Sequence, residues 1–377
     1  MKLKKGIVHA NELLCSIYIL FQSVVLIFNE KFSSNTTNFV VIGLLLLLLF
    51  IVNRKNLKIS KYLIFITIIV QIVFLYTLIF HYNNIISYYI KSFVLNGFLT
   101  MVFFNYVKDY KILMKYISYI CILIFIFSAT DPFNNYQKYG NYMSYGFSCV
   151  MPCFMIFHIQ RKYNGNKFFL PFEILSFCLL IYSNRNSILS SVVLVLLLDV
   201  FVKKTSVKKI IKYMGVICLI SLFLINVKSI FNVLQNNFGN NSYAIRSLYY
   251  WIEGKTDGLS GRDELWNNSL IEIQEHPIFG IGIGTFQEKY GNYCHNIFLE
   301  FIVSMGILGL MLIILLFFKT FQAFKANRNN IFFYYITIIG VFPLLFNNSF
   351  FRWKYYWIFL LFIFKNSSKT ESIISQK

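Results

Sequence analysis

Charge is scarce in this sequence. Only 13% of its 377 residues are charged, whereas 57% are hydrophobic, with 43 Phe and 26 Tyr. A soluble globule of this length needs many more charges to cover its surface, so the shortage excludes an ordinary soluble domain and leaves a polytopic membrane protein. The seven cysteines (Cys15, Cys121, Cys149, Cys153, Cys178, Cys218 and Cys294) are scattered, and no Cys or His spacing resembles a zinc site. Cys149 and Cys153 are four apart on a helix, where small packing residues are the expected use. There is no tandem repeat. The first apolar run lacks a small-residue cleavage site and is followed by more such runs, so it reads as a span and not as a cleavable signal peptide.

What the chain has is apolar length. Runs of about 17 to 23 mostly apolar residues suffice to cross about 30 Å of hydrocarbon. They predict twelve spans, at 12–29, 39–53, 62–80, 85–107, 113–129, 142–159, 168–182, 187–202, 211–227, 296–318, 331–346 and 353–365. The net charge of +20 comes from 35 basic and 15 acidic residues. Most of the bases fall on every second connection: Lys2 to Lys5, Arg54 to Lys61, Lys108 to Lys115, Arg161 to Lys167, Lys203 to Lys212, Lys319 to Arg328 and Lys365 to Lys377. By the positive-inside rule these face the cytoplasm, with both termini inside. The basic excess is therefore a topology signal. Nucleic-acid binding is excluded, because no soluble face carries a basic patch with interleaved aromatics.

One connection differs from the rest. Residues 228–295 form the only long loop, and the charge pattern places it outside. It mixes acids and bases with many aromatics, including Trp251 and Trp266. Rings beside carboxylates and amides suit a carbohydrate; the same rings could equally anchor the loop in the membrane interface. Within it, SGRDELWNNSLIEIQEHP predicts a helix capped by Ser260, with Asp263 completing a capping box and Pro277 ending it. Trp266, Leu270 and Ile273 would form its apolar stripe. Arg262 stands in the first turn, where the helix dipole disfavours a cation. It either awaits an anion or pairs with Asp263, Glu264 or another loop acid.

Two more helix starts on the same face carry polar residues. In YSNRNSILSS, Arg185 stands at the outer mouth of the eighth span, where a charge is functional or snorkels to the interface. In YCHNIFLEFIVSMGILGL, His295 and Asn296 open the tenth span, and a helix N-terminus biases the imidazole toward its neutral, basic form. A lone histidine is more often structural. Two arginines and helix dipoles together suit a phosphate or pyrophosphate, and a neutral histidine suits deprotonation of a hydroxyl. The run HPIFGIGIGTF between these helices fails as a nucleotide fingerprint. After Gly280 and Gly282 its third glycine is Gly284, one place too early for G-x-G-x-x-G, and no strand plainly precedes it. It reads as a close-packed turn spacing Arg262 from His295.

The order S-G-R-x3-W, an acidic helix, H-P-I-F-G-I-G-I-G-T-F, then H-N-x-F-L-E through G-I-L-G-L resembles the signature region of the O-antigen ligase and polymerase superfamily. It covers Ser260 to Leu310, and S-N-R-N-S at 183–187 matches the family's serine–arginine motif with Asn184 interposed. The resemblance implies an all-α, GT-C-like polytopic membrane protein of about twelve transmembrane helices, with one large extracytoplasmic loop containing short helices. The divisions would be 1–227 for nine spans, 228–295 for the catalytic loop, and 296–377 for three spans and a cytoplasmic tail. It implies a bacterial plasma (inner) membrane glycosyltransferase that is metal-independent, inverting and without cofactor. Its donor and acceptor would be undecaprenyl-pyrophosphate-linked oligosaccharides in the bilayer, with a flippase and a chain-length regulator as further partners. Arg185 and Arg262 would hold the pyrophosphate and His295 would activate the acceptor hydroxyl. Trp266, Asp263, Glu264, Glu272, Asn296, Gly282 and Gly284 would contact substrate. Glu275 is a further sugar ligand, and Glu264 or Glu300 an alternative base or a partner orienting His295. A repeat-unit polymerase is favoured over a ligase by analogy with the family. A transporter or flippase is disfavoured, because charges within the spans are few (Lys91, Glu173 and Asp199) and no inverted repeat is visible.

Overall fold

The computed structural model describes residues 9–28, 35–129, 145–183, 185–202, 262–346 and 349–374. The ninth span at 211–227, the Ser260 cap and Trp251 lie outside the described residues. Everything with regular structure among the described residues is helical. Lys61–Phe80, Ile86–Asn105, Tyr110–Phe127 and Ile307–Ala326 are long and apolar enough to cross a membrane, and four shorter apolar helices accompany them. Helices suit this chain because they satisfy every backbone N–H and C=O within the segment, which lipid cannot do. Side chains exposed on the Lys61–Phe80 and Ile307–Ala326 helices, such as Phe65, Ile72, Ile79, Met311, Phe317 and Phe321, are apolar. Such faces suit lipid, not water.

The centre of the bundle is the last helix, Lys354–Ile374. Tyr355 to Phe364 are all buried on it, with Trp357 and Tyr356 among the largest fully enclosed side chains. Neighbouring helices approach it through glycines. A Cβ on Gly340 would lie 2.9 Å from the Tyr355 carbonyl oxygen, and one on Gly97 would lie 2.9 Å from the Trp357 ring.

Polar contacts gather at two ends. At one, Asn105 donates to the Lys58 carbonyl, Lys365 donates to the Asn105 carbonyl, and the Glu12 carboxylate accepts from the backbone of Lys108 and Asp109. At the other, Asn83 donates to the Ile283 carbonyl at 2.9 Å, Tyr89 to Gln287 at 2.7 Å, and Glu288 accepts from the Asn84 amide. The charges expected within spans are spoken for. Glu173 accepts from Arg161 and lies 2.9 Å from His158 Nδ1, and Asp199 meets Lys162 at 2.6 Å and Tyr163 at 2.7 Å. Lys91 lies over the Phe39 ring.

The predicted span at 296–318 is not one helix. It breaks at Gly306, whose φ of 58° is open to glycine, between the short Ile297–Met305 helix and the long Ile307–Ala326 helix. The glycine-rich run fills the break. Ile307 N–H donates to the Pro277 carbonyl at 2.9 Å, while Ile281 and Gly282 donate to the carbonyls of Val303 and Ser304. These carbonyls belong to the last turn of a helix and need outside donors. A Cβ on Gly306 would sit 2.5 Å from Ile278 backbone atoms, and one on Gly309 only 2.2 Å from the Phe301 carbonyl oxygen. Hydropathy missed the break because both sides of it are apolar.

Candidate active site

Arg262 opens the helix Arg262–Glu275 and is buried there, with Asp263 and Glu264 exposed beside it. The helix docks through Leu265 and Ile273 onto a small core of Ile281, Phe286, Cys294 and Val303. The expected stripe is therefore half right. Leu270 is 51% exposed, while Ser269 and Glu272 are buried. Leu265, Ser269 and Glu272 set the phase instead, while Trp266 still turns inward, its indole N–H donating to the Cys294 carbonyl at 3.1 Å. That bond ties the start of the Arg262 helix to the residue before His295.

His295 is the one non-glycine residue with positive φ (53°) among those described. Left-handed backbone costs an L residue about 1–2 kcal/mol, and such strain concentrates at functional sites. Asn296 holds the conformation in place: its side-chain oxygen caps the next helix, accepting from Phe298 and Leu299 N–H. The His295 ring centroid lies 4.2 Å from that of Tyr293. Burial, and then the positive charge of Arg262, hold the imidazole pKa down to about 4. The neutrality expected from the helix N-terminus thus has a different main cause. Its Nδ1 is buried without a hydrogen-bond partner among the described residues.

Two further groups face this pair that sequence reasoning missed. Burial pushes the Tyr293 phenol up to about 12, and its field includes both Arg352 and Arg262. Arg352 ends the short turn Phe350–Arg352 before the last helix, and its guanidinium lies over the Tyr88 ring at 5.8 Å. Its signal in the sequence was one arginine in a short connection otherwise made of aromatic residues, two asparagines and a serine. Glu300, one turn into the Ile297–Met305 helix, is buried and accepts from Ser349 Oγ at 2.5 Å. Its second oxygen is buried without a partner among the described residues. Burial pushes its carboxyl up to about 7, against Ser349, the Phe350 amide and Arg352, which favour the charged form.

Several expected substrate contacts have internal partners. Glu272 is buried and accepts from Lys289 at 2.5 Å and Tyr290 at 2.7 Å. Glu272, Glu275 and His276 offer ligand atoms within 4.8 Å of one another, an i, i+3, i+4 grouping that the sequence reading passed over. Lys289 competes for that position. Gly282 and Gly284 are packed tight: added Cβ atoms would lie 2.8 Å from Thr77 Oγ1 and 3.1 Å from Asn83 Oδ1. Close packing at Gly282 and the positive φ of both, 81° and 84°, account for glycine here without a substrate. Arg185 begins the helix Arg185–Leu197, but its side chain lies outside the described residues. The structure thus brings together Arg262, His295 and Trp266, places Glu300 nearby with Ser349 as its partner, and adds Tyr293 and Arg352.

Residues 171–314 match the family model described as O-Antigen ligase. The match takes in Arg185, Arg262, the glycine run and His295, and stops short of Arg352. No curated protein and no solved structure matches the chain.

Proposed function

Because the chain belongs, through residues 171–314, to the O-antigen ligase and polymerase superfamily, we propose that it is a polysaccharide repeat-unit polymerase. In this reading it moves glycan from undecaprenyl pyrophosphate to a hydroxyl of another lipid-linked repeat, at the outer face of a bacterial inner membrane. Twelve spans, cytoplasmic termini and an extracytoplasmic 228–295 loop belong to the same reading, as do capsule, exopolysaccharide or O-antigen as product. The observation that carries it is a half-buried His295 held in its neutral form within the field of Arg262.

Inverting transfer needs a base for the acceptor hydroxyl and positive charge for the departing pyrophosphate. Arg262, with Arg185, supplies the charge. His295, neutral at physiological pH, takes the proton. A pKa of about 4 makes it a weak base. A bound diphosphate offsets the Arg262 charge and raises that pKa, so basicity grows when the donor is in place. Exposed Asp263 and Glu264 are available to sugar hydroxyls.

Deletion of the gene tests the reading. Accumulation of single-repeat lipid-linked units supports the polymerase. The alternative within the family is a ligase, for which full-length lipid-linked chains accumulate instead.

A further inference from the structure

Arg352 lies beyond both the recognisable motifs and the family match, which ends at residue 314. We propose that Arg352 binds the diphosphate head of a lipid whose polyprenyl chain lies in the apolar groove beside it. This rests on the function proposed above for its choice of lipid.

The backbone at Arg352 is fixed and its side chain is not enclosed. Phe350, Phe351 and Trp353 are 2%, 2% and 5% exposed, and the Trp353 indole donates to the Ile339 carbonyl at 2.6 Å. Arg352 alone in this stretch faces outward, steadied over Tyr88. Among the described residues no carboxylate lies within ion-pairing distance of it, and its acidic neighbour Glu300 is biased toward the neutral form by burial. A guanidinium so presented suits bidentate contact with phosphate oxygens.

The groove supplies the other half of an amphiphile. It runs between the Lys61–Phe80, Ile307–Ala326 and Lys354–Ile374 helices, lined by residues such as Phe65, Val73, Ile283, Leu316, Phe350 and Phe351, and holds about 600 Å³ including its open side. Phe350 and Phe351 wall the groove and directly precede Arg352, so apolar cleft and cation share one segment. Tyr293, whose ring lies 4.2 Å from that of His295, is in the field of both Arg352 and Arg262, so the cation acts on the residue that packs on His295. An apolar chain ending in an anion is the chemistry that fits both halves.

The test uses the full chain in detergent micelles, with undecaprenyl diphosphate, undecaprenol and inorganic pyrophosphate as probes and thermal stabilisation as the readout of binding. Wild type is expected to bind the lipid diphosphate at least about tenfold more tightly than either half alone. Arg352→Gln should weaken it about tenfold, as loss of one charge-assisted contact implies. Leu316→Trp, narrowing the groove, should weaken the lipid and leave pyrophosphate unchanged. Arg352→Lys, the milder change should the Gln variant fail to fold, should lose affinity severalfold. Unchanged affinity in the Arg352 variants overturns the proposal, as does pyrophosphate binding as tightly as the lipid. A wild type that binds lipid diphosphate yet elongates no purified repeat sinks the polymerase reading and leaves this one standing.

Discussion

Where Lys162 and Asp199 meet, two buried acids each have a base: Glu173 has Arg161 and His158, and Asp199 has Lys162 beside the Tyr163 hydroxyl. On the side where Tyr293 lies in the fields of Arg262 and Arg352, the buried acid, Glu300, is pushed toward neutrality, and Asp263 and Glu264 beside Arg262 are exposed. Paired charges hold helices together and offer a ligand nothing. Two cations beside an imidazole and a carboxyl that both favour their neutral forms give this side a different electrostatic character, one that suits an anion. The same residue types therefore serve architecture in one place and chemistry in the other.

The largest effect that could break this contrast concerns the cationic side. Arg262→Ala and His295→Ala should each abolish polymer, a loss of at least about 100-fold given what removal of charge stabilisation or a general base costs. Membrane levels of the protein should stay normal. Arg262→Lys should fail too, since a point charge cannot reproduce a bidentate contact. Polymer ladders from a complemented deletion strain, read beside immunoblots of membranes, check this. Normal ladders from both alanine variants would remove the site.

The paired side should respond in the opposite currency. Glu173→Gln leaves Arg161 partly buried without its acid, and breaking a buried pair costs about 3 kcal/mol. The expected result is less protein in the membrane, with unchanged polymer per molecule. The double variant Arg161→Gln with Glu173→Gln should recover much of the lost amount, because neither charge is then stranded. If Glu173→Gln lowers specific activity while protein amount holds, the acid is not architectural and the contrast collapses.

How much of this was legible in the sequence differs from element to element. Among the described residues hydropathy located the helices, because a lipid-facing helix has no choice but to be apolar. Arg262 and His295 stood out because helix starts advertise themselves through caps and flanking polar residues. The break at Gly306 was hidden: what holds it open are the Pro277 and Ile278 carbonyls, nearly thirty residues earlier, and the sequence on both sides is apolar. The phase of the Arg262 helix was misjudged because Leu265 and Trp266 are adjacent and suggest rival stripes, and only the burial of Ser269 and Glu272 on the Leu265 side decides between them. Arg352 was passed over because a single arginine among phenylalanines carries no periodicity. Its meaning comes from Tyr88 and Tyr293, which the fold brings to it.

The smallest effect sharpens the comparison most, because it asks what a buried acid does without a full partner. Glu300 has a folded pKa of about 7 against an ordinary 4.5. Below pH 4.5 the carboxyl is neutral in both folded and unfolded chains, and its contribution to stability is fully present. As pH rises toward 7 the unfolded chain gives up the proton while the folded one keeps it, so stability falls across that window and levels off above it. His295 acts in the other direction. Its lowered pKa means stability is present above about 6.5 and lost as pH falls through about 4. The two are separated by comparing wild type with Glu300→Gln, since His295 is common to both. The melting temperature of wild type, relative to Glu300→Gln, should decline between pH 5 and 7.5, by a few degrees at most. The ionised form should also compete with substrate for the local positive field, so the KM for lipid-linked donor should rise through pH 7 in wild type and stay level in Glu300→Gln. Parallel curves in both measurements would mean that Glu300 keeps its charge throughout, and that the cationic side balances its acid much as the paired side does.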